Sequence, residues 1–260
     1  MAAAVKLHHV VDDSSDGRGA LLLGGSLGTT LAMWEPQVAA LSGDLTLVRF
    51  DHRGHGRSPV PAGPYAIDDL GRDVLALMDD LELERASYCG LSLGGMVGQW
   101  LAINAPERID RVILLCTGAF LPPAEQWRER AATVRAAGTP EALADAVVAR
   151  WFTGPFAAAN PDTVARHRAM ISATDPDGYA ACCEAIATMD LRAGLPTVRA
   201  PALVISGAQD PSIPAEHGRA IADSIPGARF VLLDPGAHLA SVERADAAND
   251  LIAGFMKETP

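Results

Sequence analysis

The feature that most constrains the fold is a series of short, continuous apolar runs separated by segments with helical spacing. Four of these runs read LTLVRF, RVILLC, ALVIS and RFVLL. A strand that is apolar at almost every position is typical of a parallel sheet covered on both faces. The apolar residues between the runs, as in 67–81, recur with helical spacing and supply the covering layers. The chain is therefore predicted to be an α/β protein with a mostly parallel central sheet flanked by helices.

Further elements complete this prediction. VKLHHVV and ALLLGG are interpreted as strands separated by a turn-rich stretch at 12–19, and ASYC as a short strand before a helix from Leu93 to Ala105. A last helix is predicted from about Ser241 to Phe255. The strands and helices then alternate along most of the chain.

One interval interrupts the alternation. Between VILLC and ALVIS the pattern is helical throughout, and such a block is too long to be a simple connection. We interpret residues 120–195 as a helical cap inserted over the carboxyl edge of the sheet. The core that contains the sheet then consists of residues 1–119 and 196–260.

Composition and charge exclude several classes of function. The 260 residues carry a net charge of −11, which argues against nucleic-acid and anionic-membrane partners. No apolar run approaches the roughly 20 residues that cross a bilayer, and the N-terminus lacks the apolar segment of a signal peptide. The four cysteines do not resemble a disulfide framework, and no zinc, P-loop or dinucleotide motif occurs. A cytoplasmic protein without metal or cofactor is expected.

A nucleophile motif lies between a predicted strand and a predicted helix. Gly90-Leu91-Ser92-Leu93-Gly94 matches G-x-S-x-G, and the strand before it and the helix after it are the context that a nucleophile elbow requires. The alternative is structural, with Ser92 as a helix N-cap and the glycines as packing residues. The context favours Ser92 as a nucleophile.

A serine nucleophile needs a base, and His238 is the candidate among the seven histidines. It follows the run RFVLLD through Pro235-Gly236-Ala237 and precedes the last helix, so it belongs to a loop at the carboxyl edge of the sheet. Its place in the chain agrees with the order serine, acid, histidine of this type of site.

The acid that would orient the histidine is predicted to be Asp210. It ends the segment ALVISGAQD at the same edge of the sheet, whereas Asp234 is a weaker second candidate. In some related architectures the acid follows the preceding strand, but that site reads VILLCTGA here, with Cys116 and Thr117 and no carboxylate. An oxyanion hole is expected from the backbone N–H groups of Leu93 and of Ser26 in the loop GGSLGT.

The ordered set LLLGGSLGT, DHRGHGRS, GLSLGG, SGAQDP and PGAHL resembles the α/β-hydrolase family along essentially the whole chain. Within it, the chain is similar to the 3-oxoadipate enol-lactonases, on SLGTTLAMWEPQ, GLSLGGMVGQWLAINAPERIDRVIL and GYAACCEAIATMDLR. The resemblance implies a serine hydrolase that opens 3-oxoadipate enol-lactone through an acyl-enzyme in aromatic-compound catabolism. It assigns Ser92, Asp210 and His238 as nucleophile, acid and base. Gly24-Gly25-Ser26 departs from the His-Gly or Asn-Ser of many relatives.

The substrate that the resemblance implies is a small lactone that carries a carboxylate, so a cation or donor set inside the pocket is expected. Trp127, Arg135 and Trp151 are the named candidates for substrate contact. The wider set of cationic groups in the predicted cap, which the sequence does not rank, is Arg128, Arg130, Arg135, Arg150, Arg166 and His167.

Other functions are compatible with the same predicted site residues. The scaffold also hosts carboxylesterases, carbon–carbon bond hydrolases and cofactor-free haloperoxidases, and a triad alone does not separate them. Ser92 argues against the dehalogenases and epoxide hydrolases of this fold, which use an aspartate nucleophile. A non-catalytic ligand receptor is a further alternative, disfavoured because all three triad residues are present.

Overall fold

The computed structural model describes residues 3–14 and 19–258. Positions 15–18, in the turn predicted between the first two strands, lie outside the described residues, as do the outermost residues of the predicted core. Within the described ranges the strands are β1 (His9–Asp12), β2 (Ala20–Gly24), β3 (Thr46–Phe50), β4 (Ala86–Leu91), β5 (Ile109–Leu115), β6 (Ala202–Gly207) and β7 (Arg229–Leu233).

These strands form one sheet in the order β1-β3-β2-β4-β5-β6-β7. Strands β2 to β7 run parallel, and only the edge strand β1 pairs antiparallel, with β3. Every residue of β2, β4 and β6 is buried, which explains why these segments are apolar without alternation. The predicted fold class, a mostly parallel sheet in an α/β protein, is confirmed.

Helices cover the sheet, and there are also two short 3₁₀ helices, at 31–34 and 195–197. The helices of the described residues are α1 (Glu35–Leu41), α2 (Ile67–Asp80), α3 (Leu93–Asn104), α4 (Ala124–Ala137), α5 (Glu141–Val148), α6 (Gly154–Ala159), α7 (Pro161–Ser172), α8 (Pro176–Thr188), α9 (Ala215–Ser224), α10 (Ala240–Glu243) and α11 (Ala245–Lys257).

The C-terminal helix differs from its prediction. The apolar spacing suggested one helix from about Ser241, but the structure has two, α10 and α11, separated at Arg244. The backbone of Arg244 has φ −119° and ψ 44°, outside the helical region. Helical spacing of side chains is insensitive to a one-residue break of this kind, so the pattern did not reveal it.

Helices α4 to α8 all lie between β5 and β6 in the chain. Helix α4 packs against α8, and α5 packs against α7. The loop after β3 reaches this segment, since a Cβ added to Gly54 would lie 2.6 Å from the Cα of Gly178 in α8. The division into a core (1–119 and 196–260) and a cap (120–195) stays a prediction.

The structure also bears on membrane spans, metal sites and disulfides. In the described ranges no helix has both the length and the hydropathy to span a membrane. The same residues contain no cluster of three or more histidine, cysteine or acidic side chains arranged to hold a metal ion. The four cysteines are buried thiols, and burial raises the pKa of each.

Candidate active site

Ser92 occupies a sharp turn between β4 and α3. Its backbone has φ 57° and ψ −112°, and a positive φ is uncommon for a residue other than glycine. The turn is held by two hydrogen bonds: Ser92 N–H donates to the Leu115 carbonyl at 2.9 Å, and Thr117 Oγ1 donates to the Ser92 carbonyl at 2.8 Å. Such strain persists only where the surroundings over-determine it, and it is common at functional sites.

The glycines around Ser92 allow the backbones to approach closely. A Cβ added to Gly94 would lie 2.1 Å from the Gly24 carbonyl oxygen, and one added to Gly90 would lie 2.2 Å from the Gly94 oxygen. The Gly94 N–H donates to the Gly25 carbonyl at 2.9 Å. The loop after β2 therefore lies directly against the turn that carries Ser92.

His238 and Asp210 form a buried hydrogen-bonded pair. His238 Nδ1 lies 2.8 Å from Asp210 Oδ2, and because a carboxylate only accepts, Nδ1 carries the proton. Asp210 Oδ1 accepts from the N–H groups of Ser212 at 2.8 Å and Ile213 at 3.0 Å, which fixes the carboxylate. The second candidate acid, Asp234, is exposed and accepts from Gln209 Nε2 at 3.1 Å.

Ser92 and His238 line one cavity of about 290 Å³. Ser26 lines it as well, as do Trp127 of α4 and Trp151, which follows α5. The volume is at the lower end of the about 300–1,000 Å³ that is typical of ligand pockets, which suits a small substrate. The structure thus brings five of the sequence-predicted site residues to one space.

Arg135 is not brought to this space. Its guanidinium pairs with Glu184, with one hydrogen bond of 3.0 Å to Oε2, and lies 3.6 Å from Asp177 Oδ1. The side chain is on the outer part of α4, and helical spacing alone did not distinguish that part from the cavity side. Within the described residues that line the cavity, the guanidinium groups are those of Arg130 and Arg150.

The remaining cationic candidates also lie elsewhere. Arg128 pairs with Glu125 at 3.3 Å and Arg166 pairs with Glu35 at 3.2 Å, both with exposed side chains. His167 is buried and lines a separate cavity.

The two predicted oxyanion donors differ in their surroundings. Leu93 is the first residue of α3, and the N–H groups at a helix start lack intrahelical acceptors. The Ser26 N–H lies 3.4 Å from Met33 Sδ, which also accepts from Thr29 Oγ1 at 3.0 Å. A thioether is a weak acceptor, so this contact holds the Ser26 amide only loosely.

Two buried histidines of the segment DHRGHGRS hold the loop that contains Ser26, a role that the sequence did not reveal. His52 Nε2 donates to the Gly25 carbonyl at 3.2 Å, and His55 Nε2 accepts from the Gly28 N–H at 2.9 Å. Burial lowers the pKa of His52 to about 3, with a further contribution from His55, and burial also lowers the pKa of His55. Both imidazoles are therefore neutral, and the hydrogen bond that His55 Nε2 accepts requires a neutral ring at that residue.

Glu243 joins the loop of His238 to the helical segment, and sequence reasoning did not single it out. Its Oε2 accepts from the Ala237 N–H at 3.0 Å, and its carboxylate accepts from the Thr153 N–H at 3.3 Å and from the Thr153 hydroxyl. The Leu239 N–H donates to the Trp151 carbonyl at 3.0 Å beside it. Leu239 and Glu243, which follow His238 in the chain, thus contact the connection between α5 and α6.

Comparison with known proteins places this arrangement in a family. The family model for the alpha/beta hydrolase fold matches residues 19–245. The chain is 40% identical over 257 residues to 3-oxoadipate enol-lactonase 2 of Acinetobacter baylyi, covering 98% of this chain and 95% of that protein.

Two solved structures extend the likeness to three dimensions. The enol-lactonase from Burkholderia xenovorans superposes with a TM-score of 0.94 at 45% identity, covering 98% of this chain and 99% of that one. A malate-bound thermophilic esterase from Thermogutta terrifontis has a TM-score of 0.90 at 26% identity, covering 96% and 93%. With the seven-stranded sheet, the serine turn and a match over most of its length, the chain belongs to the alpha/beta hydrolase family.

Proposed function

We propose that this hydrolase opens 3-oxoadipate enol-lactone to 3-oxoadipate, in the catabolism of aromatic compounds, with Ser92 as nucleophile. The observation that carries the proposal is that Ser92 and the Asp210-bound His238 line one small cavity, in a chain 40% identical to an enol-lactonase. The substrate would be a small lactone, in keeping with the size of the cavity.

In the first half of the reaction, Ser92 Oγ attacks the lactone carbonyl carbon while its proton passes to His238 Nε2. Asp210 stabilises the resulting imidazolium through the Nδ1 hydrogen bond of 2.8 Å. The tetrahedral intermediate collapses by breaking the bond to the ring oxygen, which receives the proton from His238. The enol that leaves tautomerises to the ketone and remains tethered in the acyl-enzyme.

In the second half, His238 takes a proton from water as the water oxygen attacks the acyl carbonyl carbon. The bond from that carbon to Ser92 Oγ then breaks, His238 returns the proton to Oγ, and 3-oxoadipate is released. The N–H groups of Leu93 and Ser26 would stabilise the oxyanion in both halves. Since Met33 Sδ is a weak acceptor, the Ser26 N–H can exchange this 3.4 Å contact for an anionic oxygen at little cost.

We also propose that residues 120–195 act as a cap over the cavity. Trp127 and Arg130 of α4, Trp151 after α5 and Ile186 of α8 all line it. A helical layer over the reacting atoms would exclude water and limit the size of the substrate.

The proposal is tested by assaying the wild type and Ser92→Ala side by side on the enol-lactone, on simple aryl esters and on a vinylogous diketone acid. We expect the wild type to prefer the enol-lactone, and Ser92→Ala to lose about 10³-fold or more in kcat. Preference for the diketone acid would indicate a carbon–carbon bond hydrolase. Unchanged turnover in Ser92→Ala would refute the nucleophile.

A carboxylesterase is the second candidate function. It is favoured by the likeness to the malate-bound esterase, at 26% identity with a TM-score of 0.90. Faster hydrolysis of aryl esters than of the enol-lactone in the same panel would support this candidate.

A further inference from the structure

The cavity beside Ser92 carries an excess of positive charge. Arg130 and Arg150 line it, and no aspartate or glutamate is among the described residues that do so. The whole chain has a net charge of −11, so the charge of the cavity lining is opposite in sign to the net charge of the protein. At physiological ionic strength charges beyond about 8 Å are largely screened, so the two guanidinium groups of the lining act on the cavity more strongly than distant surface charges do. Asp210, which binds His238, is a nearby anion that also acts on Arg150.

The charge of Arg130 is not balanced by a neighbouring anion. Its Nη2 donates to the hydroxyl of Tyr179, and burial raises the pKa of that phenol to about 12, so the phenol stays neutral. The guanidinium lies over the rings of Tyr179 at 5.2 Å and Trp127 at 5.6 Å, which hold it in place. Its Nε is buried and has no hydrogen-bond partner among the described residues.

Arg150 lines the same cavity and is exposed to solvent. Partial burial of the group lowers the pKa of Arg150, and the positive charge of Arg130 lowers it further. Both guanidinium groups line the one cavity, so an anion bound there would have two cationic groups beside it.

The neighbouring arginines provide a contrast. Arg128, Arg135, Arg166 and Arg168 of the α4–α8 segment each form an ion pair with a glutamate, whereas Arg130 and Arg150 form none within the described residues. Arginine presents a planar fork of donors that matches a carboxylate with two hydrogen bonds. Two arginines that line one cavity and have no ion-pair partner among the described residues suit a carboxylate of the substrate.

We propose that Arg130 and Arg150 form a carboxylate-binding subsite that restricts the enzyme to esters and lactones with a free carboxylate in the acyl part or ring substituent. This inference rests on the proposed ester or lactone hydrolysis at Ser92, but it names the substrate class and not one substrate. A neutral substrate leaves two cations without a partner, so the subsite selects against it as well as for the anion.

The first test compares two aryl esters of similar length: mono-p-nitrophenyl glutarate, which carries a carboxylate, and neutral p-nitrophenyl pentanoate. In Arg150→Met we expect kcat/KM for the anionic ester to fall about 10- to 100-fold, the range of one lost charge-assisted hydrogen bond. The value for the neutral ester should change less than about 3-fold. Arg128→Met, on the exposed side of α4, is the matched control and should leave both values unchanged.

Arg150→Lys separates the effect of the positive charge from that of the paired guanidinium donors. It should recover part of the preference for the anionic ester, since a lysine retains the charge but not the paired donors. An equal loss on both esters in Arg150→Met, or no loss on either, would overturn the subsite.

A second measurement does not depend on turnover. Binding of adipate and of neutral adipamide is followed by the tryptophan fluorescence of Ser92→Ala and of Ser92→Ala combined with Arg150→Met, because Trp127 and Trp151 line the cavity. We expect adipate to bind Ser92→Ala at least 10-fold more tightly than adipamide does, and the second substitution to abolish the difference. Equal binding of the two compounds to Ser92→Ala would refute the inference.

These results separate the subsite from the proposed function. If the wild type prefers the anionic ester and Ser92→Ala binds adipate, but the wild type leaves the enol-lactone intact, the subsite is kept and enol-lactone hydrolysis is refuted. If the wild type opens the enol-lactone but does not distinguish the two esters, and Ser92→Ala does not distinguish the two ligands, the reverse holds.

Discussion

The imidazole of His55 accepts a hydrogen bond from the backbone N–H of Gly28, with 2.9 Å between Nε2 and N. Its Nδ1–H donates to the Arg53 carbonyl at 3.2 Å, so the tautomer is defined by its two partners. Gly28 has φ 81° and closes the loop that begins at Gly24, the loop that carries the proposed oxyanion donor Ser26. A histidine in the loop after one strand thus shapes the loop after its neighbour.

Removal of the acceptor on His55 is expected to cost stability and turnover together. His55→Leu leaves the buried Gly28 N–H without an acceptor and should lower the free energy of unfolding by about 1–3 kcal/mol, measured by urea unfolding. The kcat for the enol-lactone should fall about 10-fold while KM changes little, because the loop acts mainly on the transition state. His55→Gln, whose amide oxygen can accept the same N–H, is the control. The idea fails if both variants lose equally.

The neutral histidines predict an acid-sensitive stability. The pKa of His52 is lowered to about 3 by burial and by His55, whereas an unfolded histidine titrates near 6.5. As the pH falls below about 6.5, His52 binds a proton in the unfolded state but not in the folded state. The free energy of unfolding therefore decreases with falling pH until the pH reaches the pKa of His52 in the folded state. The slope is at most about 1.4 kcal/mol per pH unit for each histidine.

Urea unfolding between pH 7 and pH 5 measures this slope. We expect it to be reduced in His52→Gln, whose amide can still donate to the Gly25 carbonyl. His217→Gln, a change in a partly exposed histidine of α9, should leave the slope as it is in the wild type. A wild-type slope in His52→Gln would contradict the prediction.

Glu243→Gln tests the link between the His238 loop and the helical segment. The carboxylate accepts from Thr153 and Ala237, and the amide that replaces it has only one accepting oxygen. We expect a loss of about 1–2 kcal/mol in the free energy of unfolding and a several-fold lower kcat. Glu216→Gln, on the exposed side of α9, is the control and should change neither.

Gly94→Ala tests the close approach behind Ser92. The added Cβ would lie 2.1 Å from the Gly24 carbonyl oxygen, so the loop or the helix has to move. We expect a loss of about 1–3 kcal/mol or more, with a marked loss of activity. The same change at Gly254 in α11 meets nothing within 4 Å and should stabilise the protein by up to about 1 kcal/mol. Thermal unfolding of both variants makes the comparison.

Much of the fold could be predicted because its signals are local. Strand β6 lies at 202–207, within a residue of the apolar run ALVIS, since a strand buried on both faces must be apolar throughout. The turn at Ser92 could be located for a similar reason. Backbones approach closely at positions 90 and 94, where only glycine fits. Both glycines lie within two residues of Ser92, so the motif is visible in a short stretch of sequence.

Other features depend on contacts between distant segments. Of the six cationic candidates named in 120–195, only Arg130 and Arg150 are among the described residues that line the cavity beside Ser92. The orientation of each helix is set by its packing, as in α4 against α8, and not by its own pattern. The hydrogen bonds between Glu243 and Thr153 likewise join segments that are far apart in the chain.

By itself the sequence determined the alternation of strands and helices and the order of serine, acid and histidine, because hydrophobic periodicity and close glycine packing act over a few residues. Only the tertiary structure decided which charges face the cavity and which histidines hold the loop of Ser26. Those properties depend on contacts between segments that are tens of residues apart. The pattern of residues within one segment does not show which of its faces packs against another segment.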